Sequence, residues 1–136
     1  MEFIVTDRAS IEQGIVIRTA CVIISIHDAD KPPAKIPQRV GMRGVLYVCF
    51  DGAVPEPGSE RQHMTADDAT AIWNFVQRHR EEVGTIVCHC EQGMSRSPAV
   101  AAALSRLLGE DGSRFFQEYH PNEYVSLLML QAGTPW

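Results

Sequence analysis

The sequence predicts a single three-layer α/β domain whose central, largely parallel sheet is flanked by helices. Two observations carry that expectation. Short apolar runs alternate along the chain with stretches of helical periodicity, and one of the runs, GVLYVCF, is unbroken by polar residues. A strand that is apolar at every position belongs in a sheet covered on both faces. The length of 136 residues fits one domain and leaves enough chain for a sizeable core.

Taken in order, Phe3–Val5 and Ala20–Ile26 are β-type runs, and Ala9–Gly14 between them is a brief helix ended by glycine. DADKPPAKIPQRVG, residues 28–41, is Pro-rich and reads as an irregular, exposed loop. Gly44–Phe50 is the third strand, expected to be buried on both faces. DGAVPEPGSERQH, residues 51–63, is a second loop. Thr65–Arg80 is the clearest helix: Thr65 and Asp68 make a capping-box start, and Ala69, Ile72, Phe75, Val76 and His79 follow helical spacing. Thr85–Cys90 is the fourth strand, and Pro98–Leu108 is an alanine-rich helix stopped by Gly109. Asn122 caps a last helix through about Ala132, with Val125, Leu128 and Met129 facing inward.

Hydrophobic residues make up 45% and charged residues 21% of the chain, the balance of an ordinary globular protein. A net charge of −5 gives no support to a nucleic-acid or anionic-membrane partner, so any anion must be held by a local site. The opening MEFIVTDRASIEQG lacks the basic flank and apolar run of a signal peptide. No apolar stretch approaches the roughly 18–20 residues that span a bilayer. A cytoplasmic location is therefore expected, with Cys21, Cys49, Cys88 and Cys90 reduced rather than cross-linked.

The chemistry concentrates in CHCEQGMSRSPA, residues 88–99. A strand runs into a short loop and then into a helix whose first turn carries Pro98, which needs no N–H there. Loop amides and the helix N-terminus converge at the strand's carboxyl end, a geometry suited to a phosphate. Cys90 sits at the lip, where the same dipoles stabilise a thiolate. Arg96 offers a planar fork for two phosphate oxygens. Gly93 permits the tight curve, Ser97 can donate to the sulfur, and His89 is read as orienting the loop. A metal or disulfide role for Cys88-x-Cys90 has little support, because C-x-C is not the usual zinc spacing.

HCEQGMSRS resembles the H-C-x5-R-S signature of the cysteine-dependent protein tyrosine phosphatase superfamily, and is most similar to its dual-specificity branch of small bacterial type. His89, Cys90, Gly93, Arg96 and Ser97 carry the match, and HPNEYV, residues 120–125, resembles the Pro-Asn element that many such domains place after the loop helix. The resemblance implies a phosphatase fold over residues 1–136 and a phosphoric monoester hydrolase acting through a phosphocysteine, with no metal or organic cofactor. In its terms Cys90 is the nucleophile, and residues Glu91, Gln92, Gly93, Met94, Ser95 and Arg96 bind phosphate. The matching general acid is Asp51, although an Asp-Gly turn also explains that residue. Asp67 and Asp68 rank second, since capping accounts for them. Asp28 and Asp30 are assigned to loop solvation.

None of Glu91, Gln92, Met94 and Ser95 is basic, which disfavours a polyanionic substrate. Phosphotyrosine on a protein is the first expectation, with phosphoserine and phosphothreonine next. The alternatives are a phosphoprotein-binding module without turnover and a phosphatase for a small phosphate ester. Cys49 or Cys88 as a redox partner of Cys90 is a further reading; both as small core residues is the favoured one.

Overall fold

Four stretches rich in Val and Ile pair into one sheet: β1 (Glu2–Asp7), β2 (Cys21–His27), β3 (Met42–Cys49) and β4 (Thr85–Cys90). Their order is β1-β4-β2-β3 and every pair is parallel. The structure is a computed structural model that describes residues 1–53, 56–58 and 60–134. Part of the expected 51–63 loop, residues 54, 55 and 59, thus lies outside the described residues, as do 135 and 136. Five helices complete the described chain: α1 (Arg8–Gln13), α2 (Ala66–His79), α3 (Arg96–Leu107), α4 (Ser113–Glu118) and α5 (Glu123–Gly133). The expected α/β class and flanked sheet are present, and the sheet is parallel throughout.

Alternation along the central strands divides the apolar residues between two faces. Val22, Ile24 and Ile26 of β2, with Ile86, Cys88 and Cys90 of β4, pack in the larger cluster with α2, α3 and α5. Ile23 and Val87 turn the other way and meet Ile11 of α1 together with Ala34, and Ile36 packs partly against them. The Pro-rich segment 28–41 is therefore half a layer: it lays Ala34 and Ile36 over the sheet where a second helix would otherwise be needed.

Two expectations need correction. β3 is an edge strand, not a strand buried on both faces; most of its residues are only partly covered, and Tyr47 is 46% exposed. Continuous apolarity reports contact with something on both faces, but not whether a strand has two lateral neighbours. The short helix α4 was not anticipated. Its N-cap, Gly112, has no side chain to cap with; the Asp111 carboxylate accepts from the Ser113 N–H at 2.9 Å instead, and Asp-Gly reads equally as a turn. Tertiary contacts also hold it: Phe115 meets Phe3 edge-on at 6.4 Å, and Arg114 Nη2 donates to the Phe3 carbonyl at 2.6 Å.

Thr65 opens α2 as expected: its hydroxyl accepts from the Asp68 N–H at 3.1 Å, and the Asp68 carboxylate accepts from the Thr65 N–H at 2.9 Å. α3 lies across the sheet, with residues Arg96 to Ser105 all buried. Its alanines let the helix approach the strands closely. β2 is one of the two inner strands on which both faces depend, and Ile24 in it is fully buried. Ile24→Ala should cost about 2–5 kcal/mol in denaturant unfolding. Tyr47→Ala on the edge strand should cost clearly less, and the opposite ranking would contradict this assignment of centre and edge.

Candidate active site

The loop from Glu91 to Ser95 joins the carboxyl end of β4 to α3. Its shape follows from where its carbonyls go. The Glu91 carbonyl accepts from the Arg8 N–H at 3.2 Å, the Met94 carbonyl from His120 at 2.9 Å, and the Ser95 carbonyl from Asn122 at 3.0 Å. These partners lie on the outside of the curve. In a trans peptide the C=O and the following N–H point in opposite directions, so the N–H groups of Gln92, Ser95 and Arg96 face the inside. Gly93 makes the bend with φ +72°. A Cβ there would also stand 2.8 Å from the Thr6 carbonyl oxygen of β1, so glycine is required on two counts.

Cys90 is at the floor, only 2% exposed. Its sulfur accepts the Gly93 N–H at 3.2 Å and lies 3.2 Å from the Ser97 hydroxyl. The expected donor, Ser97, is thus adjacent, and the Gly93 N–H is a second one that was not anticipated. Pro98 falls at the third position of α3, still inside the first turn, where no intrahelical acceptor is lost. Above the floor opens a cleft of about 1060 Å³, bordered by the turn after β2, by Asp51 and Gly52 after β3, by 60–62, and by the loop itself.

Arg96 reaches into this cleft from the start of α3 with its side chain 10% exposed. Nη1 donates to Asp28 Oδ1 at 2.6 Å and to the Phe50 carbonyl at 2.8 Å. Asp28 is therefore a counter-ion in the cleft and not a solvated loop residue. The sequence held no local sign of this, because the contact joins positions 68 apart. Asp30 borders the cleft as an exposed residue, in keeping with its expected place.

Asp51 also lines the cleft. Oδ1 accepts from the Ala29 N–H at 3.0 Å and Oδ2 from the Gln62 N–H at 3.2 Å. It clasps the turn after β2 to the segment after β3. Asp67 and Asp68 do not line the cleft, and Asp68 is committed to the α2 cap.

Three more residues shape the loop without having been singled out for it. Arg8 donates to Glu91 at 3.0 Å, and Lys31 stands 3.8 Å from the same carboxylate. The Glu91 side chain is thus a tie to neighbouring elements, and only its backbone is free to face an anion. Asn122 caps α5 through the Val125 N–H and donates from Nδ2 to the Gly52 carbonyl at 3.0 Å. The HPNEYV segment so anchors both the loop and the wall opposite.

The remaining thiols are quiet. All four cysteines are free. Burial, and then the neighbouring Cys90, pushes the Cys88 thiol far up. Cys49 is partly exposed, and burial followed by the charges of Asp51, Asp68 and Asp28 pushes its thiol up as well. Neither is activated toward Cys90. Among the described residues no group of three or more His, Cys, Asp or Glu is arranged to hold a metal.

His89 is fully buried on the α1 side of the sheet. Nδ1 meets the Cys90 carbonyl at 3.3 Å, and a carbonyl can only accept, so Nδ1 carries the proton and Nε2 accepts from the Ser25 hydroxyl at 2.6 Å. The ring fixes the end of β4, as expected of an orienting residue. Burial is the main cause that lowers its pKa from the ordinary 6.5. The unfolded chain therefore takes up a proton before the folded one, and this stability is complete above about pH 6.5 and is lost as pH falls toward the folded-state value. Between about pH 6.5 and 5 the melting temperature should fall more steeply for the natural protein than for His89→Asn. Parallel curves would remove His89 as the cause.

No protein-family model matches the chain, and no curated protein matches it.

Proposed function

We propose that the protein is a cysteine-dependent phosphatase that hydrolyses phosphotyrosine on proteins, with phosphoserine and phosphothreonine as secondary substrates. The observation that carries this reading is the meeting of Cys90, the inward N–H groups of its loop and the Arg96 guanidinium in one cleft. The resemblance of HCEQGMSRS to the phosphatase signature supports it independently.

In the proposed reaction the Cys90 thiolate attacks phosphorus and the P–O ester bond breaks. Asp51 gives its proton to the leaving oxygen. Arg96 and the amides of residues 91–96 stabilise the charge on the equatorial oxygens. Water then attacks the phosphocysteine and passes a proton to the Asp51 carboxylate, while the Ser97 hydroxyl donates to the departing thiolate. A nucleophile only 2% exposed below the cleft favours a long aryl phosphate over a short alkyl one. Met94, 40% exposed at the rim, offers apolar surface to the ring.

One observation favours binding without turnover. Both Asp51 oxygens already accept an N–H, so this carboxyl has a structural task as a clasp that needs no acid catalysis.

Purified protein should hydrolyse p-nitrophenyl phosphate, with vanadate as an inhibitor, and Cys90→Ser should reduce the rate to background. Activity that survives in Cys90→Ser would remove the nucleophile. Phosphotyrosine-peptide binding without any turnover would favour the binding module.

Asp51→Asn keeps an oxygen for the loop clasp but cannot supply a proton. It should slow alkyl phosphates by about 10²–10⁴-fold while affecting p-nitrophenyl phosphate much less. Equal rates across leaving groups would leave Asp51 as a clasp only.

A further inference from the structure

We propose that Arg8 is a positioning residue for the anion cradle: with Lys31 it holds the chain's own carboxylate, Glu91, away from the place where an outside anion binds. This rests on the anion-binding half of the phosphatase reading above.

Sheet register brings the pair together. Asp7 of β1 is level with Cys90 of β4, so Arg8 and Glu91 are the first residues beyond the two strand ends. Asp7 then caps α1, accepting from the Ser10 N–H at 2.8 Å, and this turn keeps Arg8 beside the start of the loop. Arg8 meets Glu91 twice. Its N–H donates to the Glu91 carbonyl at 3.2 Å, and Nη1 donates to Glu91 Oε1 at 3.0 Å. Lys31 Nζ stands 3.8 Å from the other oxygen, Oε2.

Glu91 follows the cysteine directly and borders the cleft, where its charge has the wrong sign for a thiolate or a phosphoryl group. Carboxylates and phosphates are also bound by the same donors, backbone N–H groups and guanidinium. An untied Glu91 side chain would therefore repel an anion and compete with it for the cradle. The Arg8 and Glu91 side chains are only 17% and 12% exposed, so water would replace little of what either loses. Arg8 itself does not line the cleft. Its Nη2 donates to the Pro33 carbonyl at 3.2 Å, and its Nε lies 3.6 Å from Glu12 Oε2. All three guanidinium nitrogens face other parts of the chain, so Arg8 acts through Glu91 and not on the substrate.

The test is whether the effect of Arg8 disappears with the carboxylate it holds. Affinity for inorganic phosphate is measured by calorimetry for the natural protein, Arg8→Gln, Glu91→Gln and the double variant, with melting temperature as the folding control. The rate at which iodoacetamide alkylates Cys90 at neutral pH is read in parallel by mass spectrometry. Arg8→Gln should bind phosphate about 10-fold more weakly, and Glu91→Gln about 2- to 5-fold more tightly. Adding Glu91→Gln to Arg8→Gln should recover most of the loss, a non-additivity that a distant charge or a fold defect would not produce. Alkylation should slow about 3-fold in Arg8→Gln and recover in the double variant, because an unpaired carboxylate disfavours a neighbouring thiolate. Arg8→Lys keeps the charge but not the planar fork. It should fall between Arg8→Gln and the natural protein, and it replaces Arg8→Gln in the series if that variant does not fold.

A loss of affinity that persists undiminished in the double variant overturns the role, since Arg8 would then act by charge or fold alone. Unchanged affinity in folded Arg8→Gln overturns it as well. Natural protein that binds no phosphate overturns the phosphatase reading. The alkylation series then still decides the place of Arg8: slowing that Glu91→Gln reverses supports it, and rates indifferent to Glu91→Gln overturn it.

Discussion

A guanidinium withdrawn from water must find a counter-ion or unfold the structure around it, and Arg96 is in that position at the head of α3. Its partner cannot come from its own helix or loop, whose nearest carboxylate, Glu91, is tied to Arg8 and Lys31. The charge is balanced from the far side of the cleft, by Asp28 at the end of β2 and by the backbone at the end of β3. Three parallel strands therefore have to end at one level for the site to exist. β4 delivers Cys90, β2 delivers Asp28, and β3 delivers the Phe50 carbonyl and Asp51. The order β4-β2-β3 within the sheet makes these ends neighbours. Removing water from the pair strengthens it and raises the penalty for breaking it, so the ion pair and the strand register support each other.

An acidic chain offers an anion no attraction through its overall field, so a local site would have to supply it. The outward anchoring of three loop carbonyls turns their amides inward, and the Arg96 guanidinium stands beside them in the cleft. Each anchor is a backbone bond to another part of the chain: the start of α1, and two residues of the segment before α5. The cradle is thus assembled by tertiary structure, and its amides are oriented before any ligand arrives. That pre-organisation is what allows weak individual dipoles to act strongly on charge developing at one point.

Residues whose meaning is local were legible in the sequence. The strand–loop–helix order of CHCEQGMSRSPA, the turn at Gly93, the Thr65 cap and the Ser97 hydroxyl beside Cys90 all depend on spacings of a few residues, and the structure has each of them. Residues whose meaning is set by register were not. Asp28 looks like one more acid in a polar loop, since nothing in DADKPP reveals that the next strand will bring the Phe50 carbonyl alongside it. The same limit explains β3: GVLYVCF is apolar whether it lies in the middle or at the edge of a sheet. It explains α4 too, whose docking on Phe3 joins distant parts of the chain. Asn122 was half legible, as a cap by local pattern, while its bond to Gly52 depended on how α5 docks.

The pair of Ser25 and His89 shows how the fold keeps the end of β4 in place. Two polar side chains lie fully buried between apolar neighbours on the α1 side of the sheet. Adjacent in register on β2 and β4, they satisfy each other, and the second ring nitrogen satisfies the Cys90 carbonyl. An apolar pair of the same volume would pack there as well and would avoid the cost of desolvating two polar groups. It would leave the Cys90 carbonyl without this donor, just where the chain turns from strand to loop. A rotation of that peptide would swing the Glu91 N–H and shift the sulfur relative to Gly93 and Ser97. The polar pair is therefore best understood as a brace on the backbone beneath Cys90. It acts from the face of the sheet opposite α3, so the loop is held by one helix system from above and by a buried hydrogen-bond chain from below.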